Sequence, residues 1–355
     1  NGNIDGFICQ PSSTAGTGNK IIGCRAWLNS ANGFNLTHAF TSVTLDSCWA
    51  FDNGYGAPAG FTATVAFEGG NGFVTGGYGS GATLSSLPST IPVHVIEQCV
   101  AYHNHLAGFT AGDHLGGNQY FNNSSYDNQV NFDMKNRSSP TDATEVPGYG
   151  HTLNNNISFA PRRRGADVLN LNNKQSVNSF NTFSKPFRAV VAADFNSLDA
   201  KELFSARTLS GNLPLIIFMS LKSHKYVDKG IDVGLPYRGS APDLGYMEYD
   251  KSLTGPGKFA DFLYGHLVDG KAVLSWVADG RNCVGIMIEK SFDGLNNWET
   301  IEKVDPYITG KPTPYVYTDP ALLINKAYYR IAQLSGDGKV HYGMTIVLSP
   351  LSGQL

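Results

Sequence analysis

Histidines crowd one short stretch of this chain. Tyr102-His-Asn-His105 is followed by Asp113-His114, in a neighbourhood otherwise rich in Asn and Gly. An imidazole titrates near neutrality, so it can take a proton from a substrate with little tuning. Lys135 and Arg137 form a second reactive pair. A lysine base must first be pushed far below its ordinary range by burial or neighbouring charge. His105 is therefore the leading candidate for a general base, ahead of Lys135. His103, His114 and Arg137 are the side chains expected to hold a substrate. The competing reading of each histidine is a solvated turn residue. Arg162-Arg-Arg164 is a short basic run that reads either as a solvated turn or as a contact for an acidic polymer.

These residues sit in a repeated frame. Cys24-Arg-Ala-Trp-Leu-Asn29 returns as Cys48-Trp-Ala-Phe-Asp-Asn53, as Cys99-Val-Ala-Tyr-His-Asn104 and, more weakly, as Asn123-Ser-Ser-Tyr-Asp-Asn128. Asn156-Ile-Ser-Phe159 is a last trace. The partner motif Asp5-Gly-Phe7 recurs as Asn32-Gly-Phe34, Asn71-Gly-Phe73, Ala107-Gly-Phe109 and Asn131-Phe132. Irregular repeats of about 20–50 residues, built of short apolar pieces broken by Gly, Asn and Ser, cannot bury a core singly and must stack. The expected columns are Trp27/Phe51/Tyr102/Tyr126/Phe159, Cys24/Cys48/Cys99, Asn29/Asn53/Asn104/Asn128 and Phe7/Phe34/Phe73/Phe109/Phe132. They predict an all-β fold whose first part is a right-handed parallel β-helix. With the Phe column pointing inward, Asp5, Asn32, Asn71 and Ala107 are expected to form an outward column. Ile8, Asn35, Val74, Thr110 and Asp133 form the next, with Lys135 one step beyond.

The coils are predicted over residues 1–180, beginning inside a repeat, so that upstream coils are expected to be missing. Residues 181–255 read as a cap for the open end, with a short helix over Asp194–Phe204. Gly76–Thr90 reads as a long loop between coils. After Gly255-Pro-Gly257, alternating runs at Ala272–Trp276, Gly285–Ser291, Trp298–Val304, Ala327–Ala332 and Val340–Val347 predict a small β-sandwich over 258–355. This last part resembles a fibronectin type III or immunoglobulin-like module of a secreted bacterial protein. A net charge of −3 gives no attraction to nucleic acid, and no apolar run is long enough for a membrane span. The five cysteines are expected to be free, mostly buried thiols rather than a disulfide ladder or a zinc site.

Several motifs carry a more specific likeness. Asp5-Gly-Phe7, Gly23-Cys-Arg-Ala-Trp-Leu-Asn-Ser30, Asn32-Gly-Phe34, Ser47-Cys-Trp-Ala-Phe-Asp-Asn-Gly54, Gly70-Asn-Gly-Phe73, Cys99-Val-Ala-Tyr102 and Val233-Gly-Leu-Pro-Tyr-Arg-Gly-Ser-Ala-Pro-Asp-Leu-Gly245 resemble the family 9 polysaccharide lyases, the pectate lyase-like β-helix enzymes. The resemblance implies β-elimination on a uronate polymer of the plant cell wall, by a secreted, periplasmic or cell-surface protein expected to be monomeric. In the pectate lyases of that family, carboxylates flanking the Gly-Phe pairs hold calcium, and a lysine follows Gly-Asn-Gly-Phe. Here the matching residues are Asp5, Ala31, Asn32 and Asn35, and the lysine position is Val74. Calcium is thus expected to bind weakly or not at all at Asp5, Asn32 and Asn35. Asn32, Asn35 and Asn71 are expected to face substrate. The lost lysine and aspartates favour a substrate other than plain polygalacturonate, with the rhamnogalacturonan I backbone first. The rival readings are a glycan-binding β-helix with a decayed site, a pectate lyase, and a hydrolase, which would need two carboxylates flanking one bond.

Overall fold

The computed structural model of the chain describes residues 4–12, 18–55, 69–79, 87–187, 190–205, 207, 211–214, 216–222, 225–249, 263–278, 280, 283–307 and 313–350. The expected loop Gly76–Thr90 falls partly outside these residues, and Gly255-Pro-Gly257 falls wholly outside them. The chain forms two units, residues 1–196 with 219–249, and residues 197–218 with 250–355.

The first unit is a parallel β-helix. The chain visits three sheets in turn and then climbs one coil. The first sheet stacks Phe7–Ile8, Phe34–Asn35, Phe73–Val74, Ala107–Thr110, Val130–Asp133 and Val168–Leu169. The second runs from Asn19–Ile22 through Val43–Asp46, Val95–Glu97, Gln119–Phe121 and Thr152–Asn154 to Val177–Ser179. The third stacks Arg25–Trp27, Trp49–Phe51, Val100–Tyr102, Ser124–Tyr126 and Ile157–Phe159. Within the three sheets every pairing between coils is parallel, and the first and third keep the register of the sequence columns, Phe7 on Phe34 and Phe51 on Tyr102 among them.

The sequence columns persist as physical stacks. Phe7, Phe34, Phe73, Phe109 and Phe132 lie face to face at 4.8–5.0 Å. All but Phe7 are fully buried, against Leu45, Ile96, Tyr120 and Leu153 of the second sheet. Asn29, Asn53, Asn104 and Asn128 form a ladder, each amide donating to the next coil's amide oxygen at 2.8 Å. A buried amide costs free energy unless it is paired, and the ladder pairs each one. The residue before each ladder Asn turns the chain with a positive φ: Leu28, Asp52, His103 and Asp127. The cysteine column is likewise one turn position. Its buried thiols give way to Asn123, Asn156 and Asn181, which form a second amide ladder. All five cysteines are free.

The far end of the stack is covered. Phe183 packs on Phe132 at 5.2 Å, and Phe195 on Phe159 at 5.2 Å. Residues 231–246 bind along the flank, through Asn155 to Ile231, Asn122 to the Asp243 carbonyl, and Tyr246 to Ser124. The helix expected over Asp194–Phe204 is instead two separate 3-10 turns, Ala192–Asp194 and Ala200–Phe204. Phe195 between them is extended because its ring is spent on the aromatic column, while Asp199 caps the second turn by accepting from the Lys201 amide.

The second unit is a β-sandwich. A three-stranded antiparallel sheet of Leu263–Val268, Lys271–Ala278 and Thr313–Leu322 shares one core with a second antiparallel sheet. That sheet holds Glu299–Val304, Cys283–Ser291, Ala327–Ser335, Val340–Tyr342 and Ile346–Leu348. The strand expected over Val340–Val347 breaks at Gly343, and its two halves both pair with Ala327–Ser335. Thr313–Leu322 escaped the sequence reading because Pro314 and Pro320 argue against a strand. It lies at a sheet edge, where missing donors cost little. Among the described residues, no helix is long and apolar enough to cross a membrane.

Candidate functional site

Chemically active side chains gather at both edges of the first sheet. The upstream edge is the turn that enters Ala107–Thr110. His103 holds the left-handed position of that turn, with φ 47°. Its Nδ1 lies 2.7 Å from Asp52, which holds the same position one coil earlier. Its Nε2 lies 3.9 Å from Asp127, one coil later. Tyr55 stacks on His103 at 4.8 Å and meets His105 edge-on at 5.4 Å. Gly54 and Gly70 admit His105: a Cβ on either would lie 2.9 Å from the His105 Cβ. Arg162 reaches back from a later turn and donates to the Tyr55 hydroxyl, the Asn104 carbonyl and, at 3.1 Å, the His105 carbonyl. The His105 side chain is exposed, and among the described residues its ring has no hydrogen-bond or ion-pair partner.

The downstream edge follows Val130–Asp133. A hairpin, Asn136–Ser139 with Asp142–Val146, rises from this coil and carries Glu145 to Lys135. The Lys135 ammonium lies 2.6 Å from Glu145 and 3.8 Å from Asp113. Burial pulls its pKa down, but the Glu145 hydrogen bond and the charges of Asp113, Glu145 and Asp133 outweigh burial and raise it. Lys135 is thus held as an ammonium, which cannot accept a proton at neutral pH. Burial raises the Asp113 and Asp133 carboxyls, with Lys135 pulling each back. Lys135 and His105 stand on opposite edges of the sheet.

The remaining expected residues are placed differently from the sequence reading. Asp5, Asn32 and Asn71 stack as a half-exposed column, but Ala107, expected to continue it, is buried. The three polar residues make a third amide ladder at the sheet corner, where Asn32 donates to Asp5 at 2.9 Å, Asn71 donates to Asn32 at 2.9 Å, and Asn71 accepts from the Ala107 amide. Asn35 Nδ2 donates to the other Asp5 oxygen at 2.7 Å, and its own oxygen accepts from Thr37. Calcium does not fit this donor set. Each side-chain oxygen of Asp5, Asn32 and Asn35 already accepts a hydrogen bond, and only one carboxylate is present. No group of His, Cys, Asp and Glu suited to a metal occurs among the described residues. Calorimetric titration with calcium should give affinity on the order of millimolar or weaker. Sub-micromolar binding abolished by Asp5→Ala would contradict this geometry.

His114 and Arg137, expected to hold substrate, are buried. His114 is 0 % exposed, its Nδ1 accepting from the Gly77 amide and its Nε2 against the Pro92 carbonyl. Arg137 is 2 % exposed and donates to the carbonyls of Gly79 and Pro140. Neither side chain is therefore open to a substrate. A β-helix loop and a core turn look alike in composition. The sequence reading also missed Tyr55, Asp52 and Glu145. Asp52 was legible, since it precedes Asn53 as His103 precedes Asn104.

Residues 1–156 match the family model described as "Pel9A-like, right handed beta helix region". Over these residues the β-helix is of the Pel9A-like type. Pectate lyase L of Dickeya dadantii (strain 3937) is 33 % identical over 247 residues, 69 % of this chain and 51 % of that protein. Pectate lyase PEL9 of Emericella nidulans is 32 % identical over 141 residues, 35 % of this chain and 32 % of the relative. Among solved structures, a rhamnogalacturonan lyase is 38 % identical with a TM-score of 0.57, over 62 % of this chain and 53 % of its own. The crystal structure of pectate lyase Pel9A is 30 % identical with a TM-score of 0.54, over 69 % and 54 %. The chain spans about half the length of Pectate lyase L. Within this Pel9A-like helix, the position after Gly-Asn-Gly-Phe is Val74, an apolar side chain only 8 % exposed.

Proposed function

We propose that the chain cleaves a pectic uronate polymer by β-elimination, with the rhamnogalacturonan I backbone as substrate. The carrying observation is a Pel9A-like helix in which Val74 and the saturated Asp5/Asn32/Asn35 set stand where the resemblance puts lysine and calcium carboxylates. The higher identity to a rhamnogalacturonan lyase than to Pel9A supports the substrate class. His105 takes the proton alpha to the uronate carboxylate. The freed electron pair forms a ring double bond, and the glycosidic oxygen leaves the next carbon and takes a proton. His105 suits this role because its ring is exposed and unbonded on the open edge of the first sheet. No step passes through calcium.

The polymer is extracellular, so the chain acts as a secreted or surface-attached protein, as a monomer. Of the segment 181–255 expected as cap, residues 181–196 and 219–249 serve that role. Residues 258–355 serve as a spacer or docking module. The test is ultraviolet absorbance of unsaturated uronides over a panel of pectic polymers. The rise should be fastest on rhamnogalacturonan I and slow on polygalacturonate. The reverse order would return the chain to pectate chemistry, and binding without any rise would make it a glycan-binding helix.

A further inference from the structure

Arg162 belongs to the one basic run in the turns of the helix, and its placement gives that run a purpose. It follows Phe159 in the third sheet, yet its guanidinium lies at a turn 57 residues earlier in the chain. There it donates to the Tyr55 hydroxyl and to the carbonyls of Asn104 and His105. A guanidinium carries five N–H groups. These contacts use three of them, so among the described residues the Nε–H and one Nη1–H stay unspent. Among the described residues no carboxylate lies within ion-pair distance of Arg162, and the residue is exposed. Its hydrogen-bond partners are neutral, and the Asp52 carboxylate acts on its charge only from beyond ion-pair distance. The two free donors point to different sides of the guanidinium, so a carboxylate is met by one N–H together with the fixed positive charge.

Resting on the β-elimination reading, we propose that Arg162 is the residue that takes the uronate carboxylate of the substrate. Its bond to the His105 carbonyl fixes the distance between bound carboxylate and imidazole. A uronate held there presents its alpha carbon to His105, and Arg162 supplies the positive charge that stabilises the carbanion character developing beside the carboxylate. Tyr55 keeps the guanidinium from swinging away, through its hydroxyl and through its ring, whose centroid is 5.5 Å from the Arg162 carbon. The choice of an acidic over a neutral sugar at this position is then made by one side chain.

The test is binding, not turnover. Full-length His105→Ala protein is titrated calorimetrically with an oligosaccharide of the rhamnogalacturonan I backbone, and with the same oligosaccharide after its carboxyl groups are reduced to alcohols. Adding Arg162→Ala should weaken the acidic ligand tenfold or more and leave the reduced ligand unchanged. Arg162→Lys should recover part of the loss, and Arg163→Ala on the same turn should bind like the parent. Equal weakening of both ligands would make Arg162 a mere brace of the turn and overturn the proposal. So would unchanged binding of the acidic ligand, or no binding by the parent. A chain without lyase activity would still show the Arg162 dependence, so failure of the reaction and failure of this site are separable.

Discussion

His105→Ala should lower the rate of rhamnogalacturonan cleavage about 10²–10⁴-fold, the usual cost of removing a general base. Lys135→Ala should cost far less. The two residues were rivals on type alone, and their surroundings separate them. Lys135 is locked to Glu145 at 2.6 Å and kept protonated by three carboxylates. His105 has an exposed ring with no hydrogen-bond partner among the described residues, beside the Arg162 guanidinium. Its backbone is fixed at both ends of the turn: its amide donates to Asn53 at 2.9 Å and its carbonyl accepts from Arg162. Trimming the ring therefore removes chemistry without loosening the coil, and a denaturation midpoint measured on the same variant should be near that of the parent. Near-parental turnover of His105→Ala would remove it from the mechanism. A collapse of activity in Lys135→Ala alone would move the site to the other edge of the sheet.

The β-helix should lose stability steeply as pH falls below about 6.5, because three neutral imidazoles are sealed in its core. His94, His114 and His151 are each 0–1 % exposed. Each Nδ1 accepts a backbone amide, from Val43, Gly77 and Asn118 in turn. Burial and the charge of His114 lower His94 to about 3. Burial lowers His114 to about 4 against the opposing pull of the Pro92 carbonyl. Burial, with the charge of His114, lowers His151 to about 4. The folded values lie below the ordinary 6.5, so the unfolded chain binds the protons first. The contribution is whole above 6.5 and is lost as pH falls toward 4. At about 1.4 kcal/mol per pH unit and site, the three together cost on the order of 6 kcal/mol between pH 7 and pH 5. Denaturant midpoints of the coil transition at the two pH values measure it. Asn118 accepts a backbone amide through its side-chain oxygen in its coil, as His94 does through Nδ1 in the preceding one. His94→Asn should therefore keep the fold and cut the loss by about a third. An unchanged midpoint at pH 5 would contradict the burial of these rings as neutral groups.

The stacking of the helix was legible because a coil-to-coil contact repeats. Phe73 sits on Phe109 for the same reason that Phe34 sits on Phe73, and one pattern states both. The site was less legible because it is built from departures from the pattern. Arg162 meets His105 across turns of unequal length, and no spacing rule relates them. Glu145 reaches Lys135 only through a hairpin inserted after the strand, so its distance along the chain carries no signal. His114 and His103 look equivalent in composition, yet one fills the core and the other tops a turn. The corner residues Asp5, Asn32 and Asn71 misled for a different reason. The hydrogen bonds that saturate them run between coils, where no single stretch of sequence displays them. In the second unit, alternation found most of the strands but missed Leu263–Val268 and the proline-bearing edge Thr313–Leu322.

Elimination at a uronate without calcium leaves a signature in the masses of the products. The full chain, treated with a chelator and given rhamnogalacturonan I oligosaccharides, should release fragments whose new non-reducing end is one water lighter than a hydrolysed end. Products bearing a fully hydrated end, or no products until calcium is restored, would contradict the account.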